Sequence, residues 1–456
     1  MTLRSPILAA ARDLAAGRTT SRELVEAALA RAGDPNGEGA RVFTRRHDAA
    51  ARAAADAADL LRKAGVAAPS PIAGLPISVK DLFDVAGETT TAGSRVLADA
   101  APAARDAAIV ARLRRAGAAI VGRTNMTEFA FSGLGLNPHY GTPRSPWDRA
   151  TGRIPGGSSS GAAVSVSDGM ALGAIGTDTG GSVRIPAALC GLAGFKPTAS
   201  RVPRTGCLPL SESLDSIGPL AASVADCIVL DRILAGEEAD APLPAALPAA
   251  SIVLALPRTE MLEELDPAVA SAFERAIGRI STAGCRVVDA ALEPVARVAK
   301  LTANGGFAAA EAWAYHRDLL MRREREYDPR VARRMRRGEA ITGADYVELA
   351  GARRALIAEM DALTRPFTAV ISPTVPCVPP ILAELEVDDA RYAAANMRIL
   401  RNTTIGNYLD RCAITIPCEA PGEPPVGLML MGARGGDAAL LAAALAIEDI
   451  LSPLRR

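Results

Sequence analysis

The sequence predicts an α/β fold: one large, mixed, twisted β-sheet covered on both faces by helices. Three observations lead there. Strand-length apolar runs alternate with stretches of helical period along most of the chain. Helical stretches sit next to strands, as where 107–116 feeds 119–121 and where 251–256 precedes 267–283. And 456 residues at 49% hydrophobic content are ample for one extended core.

The elements follow in order. Residues 7–15, 22–31 and the alanine-rich 48–64 read as helices, the second opened by Thr20-Ser21-Arg22-Glu23 with the spacing of a capping box. A strand pattern occupies 75–79, a helix 107–116 and a short strand 119–121. The apolar run 162–174 reads as helix. Residues 237–250, rich in proline and alanine, read as a linker loop. Beyond it come a strand at 251–256, helices at 267–283, 308–325 and 345–364, strands at 369–372 and 427–431, and a closing helix at 438–451. The chain is therefore expected to form a single domain over 1–456. Within it, 1–65 is a helical N-terminal segment, 66–236 the catalytic core, 237–250 the linker, and 251–456 the part that completes the sheet and the substrate pocket.

Composition narrows the function. The 51 basic and 51 acidic residues cancel, which argues against nucleic acid or an anionic membrane as partner. Arg12 interrupts the first apolar run, so a secretion signal is not expected, and no uncharged stretch reaches membrane-spanning length. The seven cysteines are odd in number and scattered, without metal-ligand spacing, and read as free buried thiols. A cytoplasmic enzyme acting on a small molecule is expected, with no metal or cofactor, and with homodimerisation left open.

Lysine usage is the sharpest compositional signal. Only Lys63, Lys80, Lys196 and Lys300 occur, against 47 arginines. Arginine stays protonated at any working pH, whereas a buried lysine can lose its proton and act as a base. Lys80 sits in Leu75-Pro76-Ile77-Ser78-Val79-Lys80-Asp81, an apolar strand context that favours the neutral amine.

Two glycine-serine turns accompany it. Pro155-Gly156-Gly157-Ser158-Ser159-Ser160-Gly161 leads into a helical stretch, where backbone amides and hydroxyls converge. Gly176-Thr177-Asp178-Thr179-Gly180-Gly181-Ser182 places successive amides ahead of a serine, an arrangement suited to holding a developing oxyanion. No Gly-Lys-Ser/Thr pair follows, so a phosphate-binding loop is excluded. Of the three histidines, His47 lies in a charged run, His139 in a loop and His316 on a helix; none occupies a base-like motif. Lys80, Ser158 and Ser182 thus supply base, proton relay and nucleophile for acyl transfer without histidine.

Together with Asn125-Met126-Thr127-Glu128-Phe129-Ala130, Cys190-Gly191-Leu192-Ala193-Gly194-Phe195-Lys196-Pro197-Thr198 and Ser213-Leu214-Asp215-Ser216-Ile217-Gly218-Pro219, these residues resemble the amidase signature family. The resemblance implies the amidase signature fold. It implies Ser182 as nucleophile, Ser158 as a bridging serine on a cis peptide, and Lys80 as the base acting through Ser158. It also implies an oxyanion hole at the amides of Thr179, Gly180, Gly181 and Ser182. Ser160 and Ala162 depart from the family, which often carries glycine and serine there. Ser159, Asp178 and Arg184 are expected to brace the loops, and Lys196 to be structural.

The family contains amidases, ureido-acid hydrolases and the ammonia-supplying chain of the glutamyl-tRNA amidotransferase. There, an aspartate grips the glutamine amino group; the corresponding position here is Leu400, which leaves an ammonium unpaired. The run 330–337 is the densest positive patch, either a solvated helix face or a clamp in which Arg333 or Arg334 forks onto a substrate carboxylate. Phe131 and Leu134, with Phe129 and Leu136, either line an acyl pocket or fill core. The expected function is an amidase that releases ammonia or an amine from a small carboxamide or ureido substrate; the rival is the ammonia-supplying glutaminase of a tRNA-dependent amidotransferase.

Overall fold

The computed structural model describes residues 6–455. Residues 1–5 and 456, the ends of the expected domain, lie outside the described residues. Eleven strands form one sheet: β1 (Phe43–Arg46), β2 (Pro76–Lys80), β3 (Ala119–Thr124), β4 (Gly173–Asp178), β5 (Ala193–Lys196), β6 (Ser216–Ala221), β7 (Val253–Pro257), β8 (Arg286–Ala290), β9 (Ala369–Pro373), β10 (Ala413–Pro417) and β11 (Gly427–Met431). Their spatial order is β1-β3-β2-β4-β6-β5-β10-β11-β9-β7-β8. The sheet is mixed: β2 runs parallel to both β3 and β4, and β7 to both β8 and β9, while the central pairings are antiparallel.

Strand alternation distributes the core over both faces. Ile120 packs on one side with Ile109, Val110 and Leu113 of the helix Ala108–Arg115. Its neighbours Ala119 and Val121 pack on the other with Ala162, Val164 and Val166 of the helix Ser160–Ser167. The second half repeats the pattern: Leu428 and Leu430 face one cluster, Met429 and Met431 the opposite one. The α/β class and the helical cover on both faces agree with the sequence expectation.

Several local expectations change. The first 65 residues are not all helical: Arg45 and Arg46 belong to β1, and His47 stands at the N-cap of the helix Asp48–Lys63. Its imidazole is 10% exposed and lies 3.0 Å from Glu88. The run 162–174 is not one helix. It divides into the end of Ser160–Ser167, a turn and the start of β4, because Asp168 and Gly169 (φ 68°) end the helix. The capping box at Thr20 forms as expected, Thr20 accepting from the Glu23 amide and Glu23 from the Thr20 amide. No described helix is long and apolar enough to cross a membrane.

Candidate active site

The parallel strands β2 and β4 end side by side, the usual place for a site in an open α/β sheet. Lys80 is the last residue of β2, and Thr177 and Asp178 close β4. Ser158 lies in the glycine turn just before the helix Ser160–Ser167, and Ser182 in the loop between β4 and the helix Arg184–Leu189. The Gly157–Ser158 peptide is cis. Lys80 Nζ lies 2.8 Å from Ser158 Oγ and 2.8 Å from Thr177 Oγ1. The amine is fully buried and touches no carboxylate among the described residues; burial lowers its pKa from the ordinary lysine value to about 7, only partly offset by Asp215 and Asp178. A shift of this size leaves a substantial share of the amine uncharged near neutral pH, within reach of the Ser158 hydroxyl.

The two turns are stitched together through backbone groups. The Ser159 amide donates to the Ser182 carbonyl at 3.3 Å, and Ser159 Oγ to the Thr177 carbonyl at 3.3 Å. The Thr127 amide donates to the Ser158 carbonyl, and the Gly157 amide to the Gly133 carbonyl. A Cβ on Gly157 would sit 2.5 Å from the Gly135 amide nitrogen, so only glycine allows this approach.

Asp178 organises the loop that carries Ser182. One carboxylate oxygen accepts from the Gly181 amide at 2.8 Å, the other from the Val183 and Arg184 amides. The Arg184 guanidinium closes on the same carboxylate at 2.9 Å, both groups being completely buried. Burial alone would raise the Asp178 pKa; the Arg184 charge overrides it and holds the group at about 2. Asn407 completes the knot, donating to Asp178 and accepting from Arg184 at 2.6 Å. The contacts of Ser159, Asp178 and Arg184 thus all join segments around Ser158 and Ser182.

The amides of this loop are not equivalent. That of Gly181 is occupied by Asp178, whereas those of Thr179, Gly180 and Ser182 have no acceptor among the described residues. Thr179 Oγ1 donates to Asp215 Oδ1 at 2.5 Å, and Asp215 Oδ2 accepts from the Leu210 and Ser211 amides. Burial raises the Asp215 pKa to about 6.

Ser182 opens on a cavity of about 330 Å³ whose wall includes Phe131, Thr179, Gly180, Arg334 and Leu400. Arg334 lies over the Phe131 ring at 4.7 Å. It pairs with no carboxylate among the described residues, and its Nε has no partner. Arg333 is not brought to the cavity: its side chain is 68% exposed and pairs with Asp389 at 3.2 Å. Arg330 and Arg336 are likewise taken by Asp389 and Glu324, so most of the 330–337 patch is a paired surface. Leu134 also lies away from the wall, fully buried against Ile185 and Leu189. Lys196 is buried, and its Nζ donates to the Pro197 carbonyl at 2.7 Å. Burial lowers the Lys196 pKa to about 8. Sequence reasoning missed Thr177, Asp215 and Asn407. The first two stand inside strings that the motifs single out, but nothing in those strings says which side chains they meet.

Comparison with known proteins identifies the class. The Amidase family model matches residues 23–441, and the chain belongs to this family of carbon–nitrogen hydrolases. It is 40% identical to 2-amino-5-chloromuconic acid deaminase of Comamonas testosteroni over 88% of this chain and 87% of that protein. It is 34% identical to the A-type chain of glutamyl-tRNA(Gln) amidotransferase from Chloroflexus aggregans (strain MD-66 / DSM 9485), over 95% and 94%. A crystal structure of an amidase superposes with a TM-score of 0.87 at 35% identity, covering 98% of this chain and 99% of the other.

Proposed function

We propose that this amidase works through an acyl-enzyme at Ser182, with Lys80 as base and Ser158 as the proton relay. The observation that carries the reading is the buried, carboxylate-free Lys80 amine within hydrogen-bond distance of the Ser158 hydroxyl. Neutral Lys80 takes the Ser158 proton as Ser158 takes that of Ser182. The Ser182 oxygen attacks the amide carbon, and the amides of Thr179, Gly180 and Ser182 receive the oxyanion; each such donor is worth on the order of 3 kcal/mol of barrier. The proton returns through Ser158 to the leaving nitrogen, the C–N bond breaks, and ammonia or an amine departs. Water, deprotonated along the same route, then hydrolyses the ester and regenerates Ser182.

The substrate in this reading is a small carboxamide or ureido compound carrying a carboxylate. An unpaired Arg334 guanidinium in a part-apolar cavity is costly without an anion, and Phe131 beneath it offers an apolar surface for the acyl chain. The name of the 40%-identical relative, which states an acid as substrate, supports this. A screen of neutral and acidic amides and ureido compounds, scored by ammonia release, tests it. Acidic substrates should lead, and Lys80→Ala and Ser182→Ala should each abolish turnover in folded protein. Undiminished hydrolysis by either variant contradicts the mechanism.

The second reading, an ammonia supplier within a tRNA-dependent amidotransferase, draws on the 34%-identical relative. Against it stands Leu400, an apolar side chain on the cavity wall where a glutamine ammonium needs an anion. Glutaminase activity, with co-purification of partner chains, would favour it over the free amidase.

A further inference from the structure

The cavity behind Ser182 has a polar end that acyl transfer does not use. Its wall includes Gly305, Phe307 and Ala308, at the start of the 18-residue helix Gly306–Arg323. Gly305 and Gly306 turn the chain into the helix at φ 108° and 55°, and no side chain caps it by hydrogen bond as N-cap residue. Asn304 Oδ1 accepts the Gly306 amide at 3.1 Å. The amides of Phe307 and Ala308 have no intrahelical acceptor, as first-turn groups, and none elsewhere among the described residues. The helix dipole adds partial positive charge at this end.

A second observation is independent of the helix. Tyr408 lines the same cavity, is 0% exposed, and its hydroxyl has no hydrogen-bond partner. That hydroxyl lies 3.7 Å from where a side chain on Gly306 would begin, beside the helix start. An orphaned buried hydroxyl costs about 1–3 kcal/mol, a cost that a bound acceptor would offset. Burial raises the Tyr408 pKa, so the group stays a donor at working pH. Arg334 and Arg337 stand on the same wall; Glu260 is the carboxylate there, and nearby Glu311 is engaged by Ser211, Ser213 and Tyr346.

We propose that the Phe307 and Ala308 amides and the Tyr408 hydroxyl receive a substrate carboxylate at the end remote from the scissile amide. Arg334 supplies charge to that carboxylate, and these groups supply direction. The substrate class is then the amic acids, monoamides of dicarboxylic acids. The orientation rests on the reading of Ser182 as the acylated residue, but binding can be tested without turnover.

The experiment is calorimetric titration of full-length Ser182→Ala protein with succinamate, glutaramate and adipamate. Each is compared with its methyl ester and with the neutral amide of equal length. At least one acid should bind tenfold or more tighter than both neutral counterparts. Adding Tyr408→Phe should reduce that preference at least fivefold without lowering the melting temperature, since it deletes an unpaired hydroxyl. No preference at any length overturns the proposal before any variant at Tyr408 is made. An ester that binds as well as its acid, or a preference that Tyr408→Phe leaves intact, overturns it too. Failure of Ser182→Ala to abolish turnover would count against the acyl-enzyme reading instead.

Discussion

Thr179, in the loop that carries Ser182, is joined to Asp215 by a 2.5 Å hydrogen bond from its hydroxyl to the Asp215 carboxylate. Asp215 also holds the amides of Leu210 and Ser211, so one buried carboxylate ties the Ser182 loop to the turn before β6. Burial raises its pKa to about 6, above the ordinary aspartate value of 3.8. A carboxylate shifted this way costs stability as pH rises through about 6, and that cost is absent below pH 3.8. Asp215→Asn should therefore fold as well as the parent at pH 7 by urea denaturation. Its kcat should fall about tenfold to a hundredfold with little change in KM, because the Thr179 amide, an oxyanion donor in the proposed mechanism, moves.

Lys80 should set the acid limb of the pH profile. Its pKa of about 7 predicts kcat/KM rising with pH through about 7 and levelling above it. Lys80→Arg should abolish this limb together with activity, since arginine cannot lose its proton.

The same shift has a thermodynamic signature. Between pH 7 and the ordinary lysine value of 10.5 the unfolded chain carries a proton at Lys80 that the folded chain lacks. Stability then rises with pH across that window. Lys80→Met should be more stable than the parent at pH 6, with the difference shrinking toward pH 10, as read by urea denaturation.

Arg184 and Asp178 form a fully buried pair. Arg184→Leu leaves the Asp178 carboxylate unpaired in the interior and should cost about 3–5 kcal/mol in chemical denaturation at pH 7. The parent should keep the contribution of this pair above pH 3.8 and lose it as pH falls through about 2.

Gly181 sits at φ 132°, and a Cβ there would lie 2.2 Å from Thr403 Oγ1, which donates to the Gly180 carbonyl at 2.6 Å. Gly181→Ala should displace the loop that carries Ser182. A fall in kcat of about a hundredfold in steady-state amide hydrolysis is expected.

β2, β11 and most long helices are legible from their apolar patterns: β2 lies within a residue of the bounds its sequence predicts, β11 at them, and the helix Pro267–Thr282 within a residue of them. β4 is hidden because Ala162, Ala163, Val164, Ala171 and Ala174 are all buried, and a doubly covered run shows neither period. Lys80, Ser158 and Ser182 are legible from residue scarcity and turn chemistry. Thr177, Asn407 and the separation of Arg334 from Arg333 are not, since they depend on which side chains meet across 56 to 229 residues of sequence. Helix spacing alone does not say which arginine of a charged run turns inward.

The most direct test of the base–relay–nucleophile chain is the rate of covalent labelling of Ser182 by a fluorophosphonate, followed by mass spectrometry from pH 5 to 9. The label should map to Ser182, its rate should rise through about pH 7, and Lys80→Ala and Ser158→Ala should each suppress it at least a hundredfold. A label on another residue, a rate flat with pH, or undiminished labelling in Lys80→Ala would contradict the account.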